Sequence, residues 1–179
     1  MIYNVAMIKK LIAGLLLFFS LFLACQNASA DLPAKTVLVM FSPQGGIQDK
    51  IISKINLCRK SIKIAIYGFT SGDIAWALEN AKNRGVDVKI VADKSQAAGK
   101  HSEISFLVSK LFPVMIRTGK GRGIMHNKFA VFDDTEVVTG SYNWTQGAEN
   151  YNFENAIFIN DPEIARQYSA EFNRLYSER

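Results

Sequence analysis

The stretch Ser61-Ile62-Lys63-Ile64-Ala65-Ile66-Tyr67-Gly68-Phe69, followed by Ser71-Gly72-Asp73-Ile74 and closed by Val86-Asp87-Val88-Lys89-Ile90-Val91, changes its period twice. Isoleucines at 62, 64 and 66 alternate, the period of a strand. From Ser71, a residue type that caps helix starts, apolar side chains recur at 74, 75, 77, 78 and 81, and Gly85 ends the run. Residues 86–91 alternate again. Strand, helix, strand at this spacing is the unit from which parallel sheets are built, so the chain is expected to fold as an α/β protein.

Outward from that unit the pattern continues. Residues 36–41 read as a strand, broken by Ser42-Pro43-Gln44-Gly45-Gly46, and residues 48–60 read as a helix with apolar positions at 47, 51, 52, 55 and 58. Residues 102–112 look helical and Val114-Met115-Ile116 extended. Beyond them the order changes: 127–132 and 136–139 read as two strands joined by Asp133-Asp134-Thr135, 155–159 as another strand, and 162–176 as a closing helix. The expected architecture is one domain over 31–179: a mixed, mostly parallel sheet with helices on both faces.

Residues 1–30 differ in kind. Lys9 and Lys10 precede an uncharged apolar run, and Ala28-Ser29-Ala30 follows as a small-x-small site. That is the pattern of a secretory signal peptide, so an exported, periplasmic or secreted protein is expected. An uncleaved membrane anchor is the alternative, and Cys25 only loosely fits a lipoprotein site. Removal of this segment takes away two lysines and no acid, which lowers the net charge from +5 to +3. The mild excess suits an anionic partner. Cys58 would be left as a lone cysteine on an apolar helical stripe, the setting of a buried thiol.

The chemistry gathers in the second half. His126 and Lys128 lie two apart in an extended run, which puts imidazole and ammonium on one face. Ser141 and Asn143 share a face by the same parity at the end of the next strand. A nucleophile candidate, a fixed cation and two uncharged hydrogen-bonding groups suit a phosphate diester. His126 has no Cys or His at ligand spacing, and a lysine beside it repels cations, so neither metal nor cofactor is expected.

His126-x-Lys128-x₄-Asp133, then Gly140-Ser141-x-Asn143, then Glu154-Asn155, resembles the phospholipase D superfamily, in particular its short bacterial members with one such motif. The resemblance implies a metal-independent phosphodiesterase in which His126 attacks phosphorus and forms a phosphohistidine. Lys128 and Asn143 would bind the phosphate with Ser141 nearby, and Glu154 would orient the histidine. Asp133 belongs to the motif, but its odd offset from His126 makes it a supporting residue, and its composition equally suits a turn. The family uses a second histidine as acid and base. His101 lacks the pattern, so the resemblance implies a homodimer that shares one active site between two copies of His126.

The alcohol groups on either side of the phosphorus are a separate question. Arg117-Thr118-Gly119-Lys120-Gly121-Arg122-Gly123 is a flexible basic loop just upstream of His126. Lys120 and Arg122 suit the phosphates that flank a scissile one, which favours nucleic acid, DNA or RNA, as substrate and a non-specific endonuclease as function. The alternative is a phospholipase D acting on anionic or zwitterionic phospholipid. Tyr142 and Trp144 fit base stacking or core packing, with packing favoured for at least one. Tyr67 and Phe69 fit a cleft or the core.

Overall fold

The computed structural model describes residues 35–177, so the expected signal peptide lies outside the described residues. Seven strands form one sheet: β1 (Thr36–Ser42), β2 (Ser61–Ile66), β3 (Asp87–Asp93), β4 (Val114–Arg117), β5 (Lys128–Phe132), β6 (Glu136–Gly140) and β7 (Glu154–Asn160). Their order across the sheet is β1-β7-β6-β5-β2-β3-β4.

The strand–helix–strand unit of residues 61–91 belongs to the parallel part. β2 pairs with β3, and β3 with β4, both parallel. The other four pairings are antiparallel. The sheet is therefore mixed, as expected, but not mostly parallel by pairing. The physical reason is insertion: the β5–β6 hairpin and β7 lie between β1 and β2, so β1 pairs with β7 rather than with the strand that follows it in sequence. Five strands still point one way, β1, β2, β3, β4 and β6, and only β5 and β7 oppose them.

Helices cover both faces. On one side α1 (Ile47–Leu57) and α2 (Gly72–Asn83) set Ile51, Ile55 and Leu78 against Ile62, Ile64, Ile66 and Ile90, all fully buried. Burying one such side chain stabilises the fold by about 1.5–3 kcal/mol. Cys58 joins this core, and burial pushes its thiol up to about 12. On the other side α6 (Pro162–Ser177) lays Ala165, Phe172 and Leu175 on Ala65, Val91, Phe129, Val131 and Val137. The alternation of Ile64, Ala65 and Ile66 in β2 feeds one residue to each core in turn. No helix among the described residues is long and apolar enough to cross a membrane.

Two short helices carried no readable period: α3 (Lys94–Ala97) and α5 (Gln146–Asn150). Between them comes α4 (Ile104–Ser109), shorter than the 102–112 read from the sequence. Tyr142 and Trp144 are both buried; the Trp144 ring packs edge-on to Phe69 at 5.2 Å, so both aromatics serve the core.

The topology makes one end of the sheet special. Ser42, Ile66, Asp93, Arg117 and Gly140 end the five co-directional strands there, and Lys128 and Glu154 begin the two opposed ones. In open α/β sheets, ligand sites form outside the carboxyl ends of strands.

Candidate active site

β5 starts at Lys128, which pairs with Ile66, the last residue of β2. The next residue of that chain, Tyr67, therefore stands beside the entry to β5. Its ring meets His126 edge-on, centroids 4.6 Å apart and planes at 63°. The Lys128 ammonium lies 5.0 Å from the same ring's centre, within cation–π range, and donates to the His126 carbonyl at 2.8 Å. One aromatic ring thus separates and locates the two motif side chains. Tyr67 is itself placed: its hydroxyl oxygen accepts from Gln96 Nε2 at 3.2 Å.

The backbone before the histidine is anchored from another strand. Asp93 ends β3 and is 1% exposed. Its carboxylate caps α3, accepting from the Ser95 N–H at 2.9 Å, the Ser95 hydroxyl at 2.5 Å and the Gln96 N–H at 3.2 Å. Its second oxygen accepts from the Met125 N–H at 3.0 Å. Burial opposes the charge on Asp93, and these donors outweigh it, so its carboxyl titrates below the usual range. Met125 is buried while His126, one residue on, is exposed. The imidazole is thereby presented to solvent from a fixed root.

The third contribution follows β6. At Gly140 a Cβ would sit 2.2 Å from the Asn155 carbonyl oxygen, so only glycine allows β7 this close. The Ser141 N–H then donates to that same oxygen at 3.1 Å. The Ser141 hydroxyl donates to Glu154 at 2.5 Å and accepts from the Asn155 N–H at 3.1 Å. Asn143 turns its amide oxygen to the Gly68 N–H at 3.1 Å, and only an oxygen can accept there. Its NH₂ carries no hydrogen bond among the described residues and remains a donor for a ligand.

Lys128 is half-buried. Burial pulls its ammonium below the ordinary lysine value, and the nearby Glu154 carboxylate pushes the other way. A partly desolvated cation binds an incoming anion more strongly than a hydrated one does. The imidazole, the ammonium and the Asn143 amide supply what a phosphodiester needs at one place: a nucleophile and donors for its non-bridging oxygens. Among the described residues no three His, Cys, Asp or Glu side chains converge to hold a metal ion.

Of the residues expected from sequence, His126, Lys128, Ser141, Asn143 and Glu154 all lie at this end. Glu154 accepts from the Ser141 hydroxyl and from Asn152 Nδ2 at 3.1 Å, and makes no hydrogen bond to His126 among the described residues. It starts β7, two strands away from β5, with the turn after β6 between them. Lys120 lines a cleft beside His126, and Arg122 stands exposed on the turn without lining it. Asp133 stands apart from them, in the turn that its composition suits. It lies at the far end of β5, where its carboxylate accepts from the N–H groups of Arg59, Lys60 and Ser61 at 2.7–3.2 Å. It closes a turn rather than touching the chemistry. Of the two positions open to Tyr67, cleft or core, it takes the cleft. Gly68, Asp93 and Gln96 entered the site unannounced; the one local signal was an acid at the end of an apolar strand.

A family model described as "Cardiolipin synthase, PLD-like domain" matches residues 51–176. A phospholipase D of Rickettsia typhi is 36% identical over 138 residues, 77% of this chain and 67% of its own. A mitochondrial cardiolipin hydrolase of Xenopus tropicalis is 37% identical over 67% of this chain and 56% of its own length. Among solved structures, the phospholipase D family member Nuc of Salmonella typhimurium superposes with a TM-score of 0.75 and 34% identity, covering 81% of this chain and 96% of that one. NucT of Helicobacter pylori gives 0.72 and 30%, covering 79% and 96%. A histidine and a lysine gathered at the carboxyl ends of such a sheet, in a chain so widely matched, make this protein a phosphodiesterase of the phospholipase D superfamily.

Proposed function

We propose that the protein is a metal-independent endonuclease that cuts nucleic-acid phosphodiester bonds through a phosphohistidine on His126. The observation that carries the choice of substrate is the basic turn at 117–123, which runs straight into the catalytic histidine. It is a built feature. The Gly119 N–H donates to the Gly123 carbonyl and the Gly123 N–H to the Lys120 carbonyl, both at 3.0 Å. A nucleic-acid strand repeats its charge along its length, so cations beyond the scissile phosphate find partners on it. The likeness to Nuc and NucT supports the same reading.

His126 attacks phosphorus while Lys128 and the Asn143 amide hold the non-bridging oxygens. The leaving oxygen needs a proton, and the chain's other histidine, His101, does not line the site. A second copy of His126, brought by a homodimer, supplies it and later activates water. One imidazole must be neutral and its mate protonated, so the rate is expected to be bell-shaped in pH. Export to the periplasm or medium is part of the same proposal and rests on residues 1–30.

A second reading has its own observation. Tyr151 and Phe153 are 79% and 93% exposed and directly precede Glu154. Exposed aromatics at the rim of a site suit a membrane surface, and relatives carry the names phospholipase D and cardiolipin hydrolase. The deciding assay gives the protein, in EDTA, single- and double-stranded DNA in one arm and phosphatidylcholine vesicles in the other. DNA cleavage that survives EDTA and vanishes in His126→Ala supports the nuclease; choline release with intact DNA overturns it.

A further inference from the structure

On the β4 side of His126 a cleft of about 810 Å³ runs along the basic turn to the C-terminal end of α6. Four cationic side chains line it and no carboxylate does. Two of the four are engaged within the fold. Arg117 donates to the last carbonyls of α6, Leu175 at 2.6 Å and Tyr176 at 3.1 Å, and Arg174 pairs with Glu171 at 2.8 Å. The other two, Lys94 and Lys120, are exposed and have no carboxylate partner among the described residues.

Both free cations stand on fixed backbone. Lys94 is the first residue of α3, directly after the Asp93 cap. Lys120 sits in the closed turn, where a Cβ on Gly119 would lie 2.7 Å from the Gly123 backbone and Gly121 adopts φ 62°. Between them Ile116 and Ile124 are 41% and 48% exposed. Cations over two isolated aliphatic patches match alternating phosphate and sugar or base. They do not match a pair of acyl chains, which need continuous apolar surface.

We propose that this cleft seats the nucleotide adjoining the scissile phosphate, with the neighbouring phosphate between Lys94 and Lys120 and its sugar or base on Ile116 and Ile124. The inference rests on the nuclease reading and adds the path of the strand: it leaves His126 toward α6, on the β4 side of the sheet. No Phe, Tyr or Trp lines the cleft, so base preference at this position is weak.

The test compares Lys94→Ala/Lys120→Ala with the unaltered protein on two substrates, bis(p-nitrophenyl) phosphate and a short single-stranded DNA oligomer, over a series of salt concentrations. The small diester has a single phosphate and so offers none to Lys94 and Lys120. The kcat/KM ratio of oligomer to small diester is expected to fall about tenfold, mostly through KM. The slope of log affinity against log salt should shrink by about 0.7, the contribution of the one phosphate that the two lysines neutralise. Lys94→Arg/Lys120→Arg should restore both. An unchanged ratio and slope in a protein that cuts DNA overturns the cleft and leaves the nuclease standing. Equal losses on both substrates also overturn it, because the lysines then serve the chemistry or the fold. Hydrolysis of the small diester with DNA left intact by the unaltered protein removes the nuclease reading itself.

Discussion

The two ends of β5 are built on opposite terms. At the Asp133 end, Asp133 and Asp134 take φ of 51° and 55° in a tight turn closed by the Thr135 N–H on the Phe132 carbonyl. Aspartate tolerates this left-handed region. There the carboxylate is saturated by three backbone N–H groups. At the Lys128 end a cation is half-buried and, among the described residues, donates to a carbonyl two residues away, beside an exposed imidazole. One end has its polar groups satisfied by the fold; the other holds them in reserve for a ligand. A single sequence motif, His126 to Asp133, spans both.

Breaking the site end should give the largest effect on activity. His126→Ala or Lys128→Ala is expected to lower phosphodiester hydrolysis by about a thousandfold or more, with the melting temperature nearly unchanged. Steady-state rates alongside calorimetry check both halves, and substantial residual turnover in either variant would sink the assignment.

Breaking the other end should do the reverse. Asp133→Ala is expected to cost about 1–2 kcal/mol of stability while activity per folded molecule persists. Burial opposes the Asp133 charge and the N–H groups of Ser61, Arg59 and Lys60 overcome it, so its carboxyl titrates below the usual value. The stabilisation is therefore present above an unfolded pKa of about 4 and is lost as pH falls through the lower folded value. Urea unfolding of Asp133→Asn and the unaltered protein should show a gap at neutral pH that closes in acid. A gap that widens in acid contradicts this account.

The smallest effect sharpens the comparison most. Lys128 titrates below its ordinary value, so folding penalises its charged form. That penalty is full below the folded pKa and relieved above an unfolded value of about 10.4. Lys128→Met should be inactive yet slightly more stable at neutral pH, by about 0.5 kcal/mol after allowance for its partial exposure. The advantage should fade toward pH ~10.4. A loss of stability at neutral pH would show that the site end is held together like the other.

Local pattern made the strands and long helices legible, because alternation and helical spacing are properties of neighbours. The closing helix read at 162–176 falls within a residue of the observed α6, and the strand read over 61–69 begins at Ser61 as expected but ends three residues early, at Ile66. Parity brought His126 and Lys128 together correctly in space, although the strand itself starts only at Lys128. What pattern cannot show is which strand lies beside which. Tyr67 and Asp93 reach the site because β2 and β3 end where β5 begins, and the donors to Asp133 lie more than 70 residues upstream of it. The position of β1 at the far edge was hidden for the same reason.

The Met125 amide has one further consequence. Its hydrogen is buried against a carboxylate at the end of β3, one strand in from the sheet's edge, and one residue from a solvent-exposed imidazole. Exchange with deuterium at Met125 therefore requires the sheet to open, whereas surface fraying leaves it untouched. His126 is rooted one residue from this amide, so heat or denaturant is expected to remove catalysis and the sheet core in a single cooperative step.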